Sequence, residues 1–439
     1  MSDLYVGTAI FLLSYAVIVT ERVHKTVVAL VGASLMLLLK ILTQDEAFHS
    51  ETYGIDYNVI FLLIGMMIII NVMKETGIFQ WMAIKSAKVA KGEPFRLMVI
   101  LSVVTAVFSA LLDNVTTVLL VAPVTLLICE ALEVDVIPFL ITEAIASNIG
   151  GTATLIGDPP NIMIASKADL TFMDFIYHLA PVVIVILIAY IVTLKFIFGR
   201  SLHVSDSHKE RIMGMDESTA ITDRPLMVKS LWVMGFVVLG FVFHHQLHFQ
   251  PATIALAGAA LLLLLSRAEP HKILEAVEWP TLFFFIGLFI IIGGVVKVGL
   301  IKIMSEWVLS VTQGNLFATS MIVLWFSAFA SAFVDNIPYV ATMNPLVIEM
   351  AKGMWPNLSG TALLHNPDLM PIWWSLALGA CLGGNGTLIG ASANVVVAGI
   401  AEKGGRPITF MRFTKYGMPL MIESVLISMV YIWLRYYAF

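Results

Sequence analysis

Charged residues are scarce in this chain of 439 residues. Asp, Glu, Lys and Arg make up 13% of it, roughly half of their usual share in soluble domains. Hydrophobic residues reach 59%, and the mean hydropathy is +0.92. So little charge leaves no basic surface for nucleic acid and no room for a large soluble domain. The composition therefore predicts a polytopic membrane protein with the lipid bilayer as a partner and without a nucleic-acid partner.

Cysteine is also rare, and this excludes a disulfide framework. The two cysteines, Cys129 and Cys381, both lie in apolar segments. Among the histidines only His244, His245 and His248 stand close together, and they fall in a predicted outer loop that faces bulk solvent. We therefore expect neither a cofactor nor a resident metal ion.

Apolar runs long enough to cross a bilayer fall into two sets of five. They lie at about 4–20, 26–42, 57–73, 136–166 and 175–198, and again at about 231–245, 252–265, 281–296, 372–401 and 418–434. Between the third and fourth run of each set, the stretches 95–130 and 316–350 carry Asp-Asn at their middle. We interpret each as a re-entrant hairpin with its tip at the Asp-Asn. The stretches 76–91 and 299–311 before them predict interfacial helices, with polar loops as the alternative.

The basic residues support this layout, because Lys and Arg concentrate on the cytoplasmic side of membranes. With both termini outside and both hairpins returning to their own side, all but six of the 25 basic residues lie inside. The six exceptions are Lys40, Lys167, Lys297, Lys302, Lys352 and Arg435. A full crossing by either hairpin would remove this bias. We therefore expect an inner (plasma) membrane protein with its N-terminus and C-terminus outside.

The two sets are a repeat. Gly65, Gly77 and Asp113 have counterparts in Gly287, Gly299 and Asp335, at one constant spacing along the chain. Because each copy has five crossings and one hairpin, the second copy enters the membrane from the opposite side, which makes an inverted repeat. The predicted division is repeat 1 over 1–200, a cytoplasmic linker over 201–228 and repeat 2 over 229–439.

A Gly-rich motif interrupts the fourth run of each half. Residues 147–161 read SNIGGTATLIGDPPN, and residues 381–394 read CLGGNGTLIGASAN. So much Gly, Pro, Thr and Asn does not sustain a smooth helix. Unpaired backbone at membrane depth is tolerated only where it is buried in protein or lines a wet cavity. Two such breaks, over 136–166 and 372–401, favour the binding site of a transporter, and close helix packing by small residues is the alternative.

The tips and breaks supply the candidate binding residues, because frayed helix ends carry partial charge and glycines admit a solute to the backbone. In the first half these residues are Asp113, Asn114, Thr116, Thr117, Asn148, Gly150, Gly151, Thr152, Thr154, Gly157, Asp158 and Asn161. In the second half they are Asp335, Asn336, Gly383, Gly384, Asn385, Thr387, Gly390, Ser392 and Asn394. Sodium at the helix breaks is a further expectation.

Carboxylates at membrane depth cost at least about 2.5–3.5 kcal/mol each, so Asp113 and Asp335 are candidates for proton or ion coupling. Two carboxylates facing one site favour a cation, a proton or an uncharged solute over a dianion. Glu143 is a third proton-coupling candidate, with an interhelical hydrogen bond as its alternative role. Cys381 is a candidate ligand for arsenic, although a lone buried cysteine is usually a core residue.

These motifs resemble those of a known group of permeases. The motifs at residues 113–117, 121–125, 148–161, 335–338 and 379–396 resemble those of permeases of the melanosomal P-protein kind, in the arsenite permease/sodium–proton antiporter group of the ion transporter superfamily. The resemblance implies an all-α fold with a scaffold part and a transport part that moves as an elevator, often in homodimers. In the related divalent-anion/sodium symporters, Ser-Asn-Thr tips hold sodium and a carboxylate. The Asp-Asn tips here depart from that pattern and disfavour carboxylate substrates.

We therefore predict a secondary transporter of a small inorganic ion or oxyanion, driven by H⁺ or Na⁺ and not an enzyme. Its most specific form is arsenite efflux coupled to a proton gradient, for which the group implies a soluble ATPase subunit as a partner. The alternatives are sodium–proton antiport, anion transport or conductance of the P-protein kind, and a passive channel. An intramembrane aspartyl hydrolase also uses two buried Asp residues, but on full spans.

Overall fold

The computed structural model describes residues 2–20, 22–199 and 204–438, and these residues are helical almost throughout. The first half contains α1 (Ser2–Thr20), α2 (Lys25–Leu38), α3 (Gln44–His49), α4 (Tyr57–Glu75), α5 (Ile78–Val89), α6 (Pro94–Leu111), α7 (Asn114–Leu132), α8 (Ile137–Gly151), α9 (Pro159–Ala168), α10 (Phe172–His178) and α11 (Ala180–Phe198). Helix α12 (Asp206–Met213) and a 3₁₀ turn (Glu217–Ala220) follow. The second half contains α13 (Arg224–Phe243), α14 (Pro251–Ser266), α15 (Pro270–Glu275), α16 (Trp279–Lys297), α17 (Leu300–Thr312), α18 (Leu316–Phe333), α19 (Asn336–Met354), α20 (Gly360–Leu364), α21 (Met370–Gly383), α22 (Ser392–Lys403) and α23 (Phe410–Tyr436).

Nine helices in the described residues are long and apolar enough to cross a membrane. They are α1, α4, α6, α7, α11, α13, α16, α18 and α23, and α2, α14 and α21 are shorter apolar helices. The chain is therefore a multi-pass membrane protein. Three of the nine are hairpin arms, so length alone does not decide whether a hairpin crosses or returns.

The order of helices in the first half recurs in the second, from α1 and α13 to α11 and α23. The packing between the halves is reciprocal, because α4 packs on α14 while α16 packs on α2. A Cβ added to Gly65 would lie 2.6 Å from the backbone of Ala255, and one added to Gly287 would lie 2.7 Å from that of Ala29. Corresponding residues thus exchange partners, as a two-fold repeat requires. The inversion of one copy relative to the membrane stays a prediction.

The helices pack in two groups. The scaffold group consists of α1, α2, α4, α13, α14 and α16, which contact one another. The hairpin group consists of the hairpins α6–α7 and α18–α19 and the broken helices α8–α9 and α21–α22. Helix α4 contacts α9, and α16 contacts α19, so these contacts join the two groups. The functional residues described below lie in the hairpin group and where it meets the scaffold group.

The linker between the two halves is held against α5. Residues 201–203 lie outside the described residues, and α13 begins at Arg224 rather than after residue 228. The early start follows from Asp223, whose carboxylate accepts a hydrogen bond from the N–H of Leu226 at 2.8 Å and caps the helix. Lys88 of α5 forms an ion pair with Glu217 of the linker at 2.5 Å. The linker is therefore docked on α5.

Candidate functional site

Each hairpin turns at an aspartate that caps the second arm. The Asp113 carboxylate accepts a hydrogen bond from the N–H of Thr116 at 2.8 Å and another from its hydroxyl. Asp335 accepts one from the N–H of Ile337 at 3.0 Å. Both aspartates thus satisfy orphan N–H groups at the start of α7 and α19. Part of the reason for an acidic residue at each tip is therefore local.

The first helix break is closed by an asparagine from the following helix. Helix α8 ends at Gly151 and α9 begins at Pro159. The Asn161 amide donates to the carbonyl oxygens of Gly151, Thr152 and Thr154 at 3.3, 3.2 and 2.9 Å. These carbonyls lost their partners when the helix stopped. Asn161 therefore compensates for the break within the protein.

The second break repeats this arrangement. The Asn394 amide donates to the carbonyl oxygens of Gly384 and Thr387 at 2.8 and 2.9 Å. The Thr387 hydroxyl donates to the carbonyl oxygen of Ala332 on the hairpin arm, as Thr154 donates to that of Ala110 at 2.6 Å. Each break is thus fixed to the hairpin of its own half.

The two tips and the first break meet at Asp158. The Asn114 amide donates to Asn148 at 2.9 Å and to Asp158 at 3.2 Å. The Asn336 amide, from the other half, donates to both carboxylate oxygens of Asp158 at 3.3 and 3.2 Å. All four side chains are buried. The structure thus brings these four predicted residues together, and a single carboxylate contacts both tips.

Asn148 extends this network to the second break, where it donates to Asn385 at 2.9 Å and to Asn394 at 3.1 Å. Its counterpart in the second half is Cys381, since each lies two residues before the first repeated glycine. The Cys381 thiol donates to Asn161 at 3.4 Å and is fully buried. Cys381 therefore takes the structural place of an asparagine, and this explains its position without arsenic.

A cavity of about 420 Å³ lies against both tips. Among its lining residues the polar groups used below are Lys25, Asp113, Thr116, Glu278, Asp335 and Ser392. A second cavity of about 300 Å³ shares Thr116 and Glu278 with it and reaches Lys74, Glu75 and Lys272. These charged residues lie on the predicted cytoplasmic side. Access to the acidic tips from the cytoplasmic side stays a prediction.

Lys25 is the functional residue that sequence reasoning missed. Its ammonium lies 2.8 Å from Asp335 Oδ2 and 2.7 Å from Ser392 Oγ. The sequence assigned Lys25 to an inner basic loop, next to Arg22, and counted the two carboxylates as uncompensated. That charge argument needs correction, because one of them is paired with a lysine. The contact joins residues more than 300 positions apart, and no local pattern indicates it.

Several predicted residues serve packing or local hydrogen bonds and are not recorded in the cavity lining. Gly150 lies against the backbone of Ala106 where α8 crosses α6, and Gly383 lies against that of Ala328 where α21 crosses α18. The Thr152 hydroxyl donates within its own segment to the carbonyl oxygen of Asn148 at 2.7 Å. This is the close packing that small residues allow.

The remaining glycines of the breaks face each other. A Cβ on Gly157 would lie 2.6 Å from the carbonyl oxygen of Gly151, and one on Gly390 would lie 2.7 Å from that of Gly384. These glycine positions need small side chains so that the loop of each break can fold on itself. Thr117, in the first turn of α7, is buried.

Glu143 lies away from the tips. It is buried in α8 and accepts a hydrogen bond from the Thr125 hydroxyl of α7 at 2.6 Å. Its second carboxylate oxygen has no recorded partner. The interhelical hydrogen bond is therefore present, and a role for Glu143 in proton coupling stays a prediction.

The three clustered histidines line a third cavity, of about 380 Å³. His244, His245 and His248 share it with Gln250 and Pro251 at the start of α14. Within the described ranges, no group of three His, Cys, Asp or Glu side chains is placed to hold a metal ion.

A family model described as a citrate transporter, CitMHS, matches residues 15–379. The chain belongs to the CitMHS citrate transporter family. It is 48% identical over 432 residues to the uncharacterized transporter Rv2684 of Mycobacterium tuberculosis, covering 98% of both chains. It is 34% identical over 509 residues to the human P protein, covering 97% of this chain and 59% of that protein. These findings confirm a membrane transporter and the resemblance to the P protein.

The fold has a solved neighbour. The crystal structure of the Alcanivorax borkumensis YdaH transporter superimposes with a TM-score of 0.53 at 13% identity, covering 85% of this chain and 84% of that one. At this identity the likeness concerns the fold alone. The finer assignment to the arsenite permease group stays a prediction.

Proposed function

We propose that this protein is a cation-coupled secondary transporter and that Asp113 is its coupling carboxylate. The supporting observation is the charge of the cavity at the tips. Asp113, Glu278 and Asp335 line it together with one lysine, Lys25, which is paired with Asp335. In the described part of the chain, Asp113 has no ion-pair partner. A carboxylate at membrane depth without a counter-charge favours the uptake of a proton or a sodium ion.

Asp113 is positioned for this role. Thr116 fixes its carboxylate through two hydrogen bonds, so the group does not need to reorganise when a cation arrives. The cavity gives it contact with a bound solute. Since the carboxylate and the solute share one space, occupancy of one alters the binding of the other. This supplies the coupling that a secondary transporter needs.

The charge of the cavity also restricts the solute. Arsenous acid is uncharged near neutral pH and adds no repulsion, so arsenite efflux against proton entry is the specific form that we propose. Because the Cys381 thiol is buried behind Asn161, contacts with arsenite would come from hydroxyl and carboxyl groups. Citrate, the substrate after which the family is named, would enter this acidic cavity only with its own charge offset by cations.

Sodium–proton exchange without a further solute is the second candidate. The acidic excess of the cavity is the observation that favours it, because two competing cations at Asp113 suffice for exchange. A sodium-dependent pH change in vesicles that contain neither arsenite nor citrate would indicate this function.

We also propose a location and a mode of movement. The distribution of Lys and Arg supports a location in the plasma membrane with both termini outside. The scaffold group and the hairpin group would be the fixed and moving parts of an elevator. A homodimer through the scaffold group and, for arsenite export, a soluble ATPase subunit complete the proposal.

The deciding experiment is flux in proteoliposomes with imposed proton and sodium gradients. Arsenite and citrate are offered separately to the wild type, to Asp113→Asn and to Glu46→Gln. Glu46 of α3 forms an ion pair with Lys297, the last residue of α16, at 2.6 Å and outside the cavity, so it controls for the loss of a carboxylate. We expect Asp113→Asn to lower the cation-driven flux by about tenfold or more, which corresponds to about 1.4 kcal/mol. Unchanged flux in Asp113→Asn would refute the proposed role.

A further inference from the structure

The Lys25–Asp335 ion pair connects the two groups of helices. Lys25 is the first residue of α2 in the scaffold group, whereas Asp335 and Ser392 belong to the hairpin group. The Ser392 hydroxyl donates to the same oxygen, Asp335 Oδ2, at 2.7 Å. The Asp335 side chain is 12% exposed and that of Lys25 is 28% exposed, so the carboxylate is largely shielded from water and the lysine is partly shielded. An ion pair in this place is broken whenever one group moves past the other.

Among the residues that the structure describes, the pair has no equivalent in the other half. Ala29 and Ala255 are corresponding residues, because they contact the corresponding glycines Gly287 and Gly65. Lys25 lies four residues before Ala29, and Pro251 lies four residues before Ala255. Lys25 therefore corresponds to Pro251, which has no charge to offer.

The two cavities correspond in the same way. Lys25 lines the cavity at the tips, and Pro251 lines the histidine-containing cavity at the start of α14. Ser392 also has a proline, Pro159, as its counterpart. A fixed cation beside a tip aspartate is thus a property of one cavity only.

We propose that Asp335 is a second cation-binding carboxylate beside Asp113 and that Lys25 is its internal competitor, acting only while the hairpin group lies in the position seen here. This rests on the proposed function, since it assumes a transported or coupling cation. The ammonium already lies 2.8 Å from Asp335 Oδ2, and a second cation at that oxygen would be repelled at short range. Lys25 therefore promotes release of the cation into this cavity. When the hairpin group moves, Lys25 stays with α2 and Asp335 becomes free.

The surroundings of Asp335 make this assignment specific. Lys25 from α2 and Ser392 from α22 contact its carboxylate, and the Lys25 ammonium also lies 5.0 Å from the centre of the Phe284 ring. The other titratable groups that line the cavity are His24, Asp113 and Glu278. In the described residues no second lysine or arginine lines it. Removal of Lys25 thus leaves Asp335 without a fixed cation.

The first test measures binding without transport. Thermal stability of the purified protein is titrated with sodium at constant ionic strength, and separately with protons, because a bound cation stabilises the folded state. We expect Lys25→Gln to respond at about a tenfold lower cation concentration than the wild type. Lys25→Arg keeps the charge and should resemble the wild type, and adding Asp335→Asn to Lys25→Gln should abolish the gain. Lys297→Gln removes a lysine outside the cavity and serves as the control.

The second test measures flux from each side of oriented proteoliposomes. Lys25→Gln should lower the half-saturating cation concentration only on the side of the membrane to which this cavity opens. It should also slow net cation flux more than it slows exchange of the cation across the membrane. Equal effects on both sides, or the same behaviour in Lys25→Arg as in Lys25→Gln, would overturn the proposal. If the wild type shows no cation-driven flux, the proposed function fails. The stability test still decides whether Lys25 is a competitor. If neither sodium nor protons stabilise Lys25→Gln more than they stabilise the Lys25→Gln, Asp335→Asn double variant, Lys25 does not compete for a cation at Asp335.

Discussion

At the scale of single residues, Gly150 shows how closely the hairpin group is packed. A Cβ there would overlap the backbone of Ala106, which has no freedom to move aside. Overpacking of this kind costs about 1–3 kcal/mol. We expect Gly150→Ala to lower the thermal stability of the protein in detergent clearly. Gly235→Ala in α13, where an added Cβ meets no atom within 4 Å, is the matched control. Equal melting temperatures for the two variants would contradict this account of Gly150.

Residues also show what a sequence reveals and what it hides. Asp113 and Asp335 are found from the sequence because a carboxylate inside an apolar run is costly and therefore conspicuous. The contact of Lys25 with Asp335 is not evident from the sequence, because a lysine at the end of a membrane span is typical of the basic residues in cytoplasmic loops. The available signal was indirect, since two carboxylates in one site need a counter-charge. The packing role of Gly150 is hidden for another reason. Close helix packing and the approach of a ligand to the backbone both require glycine, so the sequence does not distinguish them.

At the scale of elements, the order of helices and both helix breaks follow from apolar runs and Gly-rich motifs. The docking of the linker does not, because ion pairs between distant surface residues leave no periodic pattern. The sequence predicts a cytoplasmic linker over 201–228 and gives no indication of how it is docked. Instead Glu217 lies between Lys88 and Lys85, at 2.5 and 3.3 Å. Charge alone did not distinguish a solvated linker from a docked one.

The docked linker should respond to acid. The Lys88 ammonium, followed by a backbone hydrogen bond and Lys85, lowers the pKa of Glu217 from 4.5 to about 2. A carboxylate with a lowered pKa stabilises the docked state above its unfolded pKa, and this contribution is lost as the pH falls from about 4.5 toward about 2. We expect a spin label at Thr219→Cys to gain mobility as the pH falls over that range. We expect the same label to be more mobile in Glu217→Gln than in the wild type at neutral pH.

The control for this experiment is Glu210→Gln, which removes a nearby exposed carboxylate of α12 that has no recorded ion pair. It should leave the mobility of the label unchanged. High salt should weaken the docking as acid does, because exposed ion pairs are screened. Equal mobility of the label at residue 219 in Glu217→Gln and in the wild type would show that the ion pairs of Glu217 with Lys85 and Lys88 do not hold the linker.

At the scale of the whole molecule, two corresponding cavities differ in what they reach. The larger one contacts both acidic tips and Lys25, whereas the histidine-containing one ends at Leu155 and Ile162 of the first break. A two-fold repeat with unequal cavities is the form expected of a transporter held at one end of its cycle. Lys25 then lines the cavity that is open at one end of the cycle, and Pro251 lines the cavity that is open at the other end.

The inverted repeat makes a direct prediction about these cavities. His24 and Gln250 are corresponding residues, each the exposed N-cap of its helix, and each lines one of the two cavities. If the copies are inverted, His24→Cys should react with a membrane-impermeant thiol reagent from the cytoplasmic side, and Gln250→Cys from the outside. Cys129 and Cys381 are buried and should not interfere. Labelling of both positions from one face would mean parallel copies. The cavities would then be two chambers on one side of the membrane, and the one-sided action proposed for Lys25 would lose its basis.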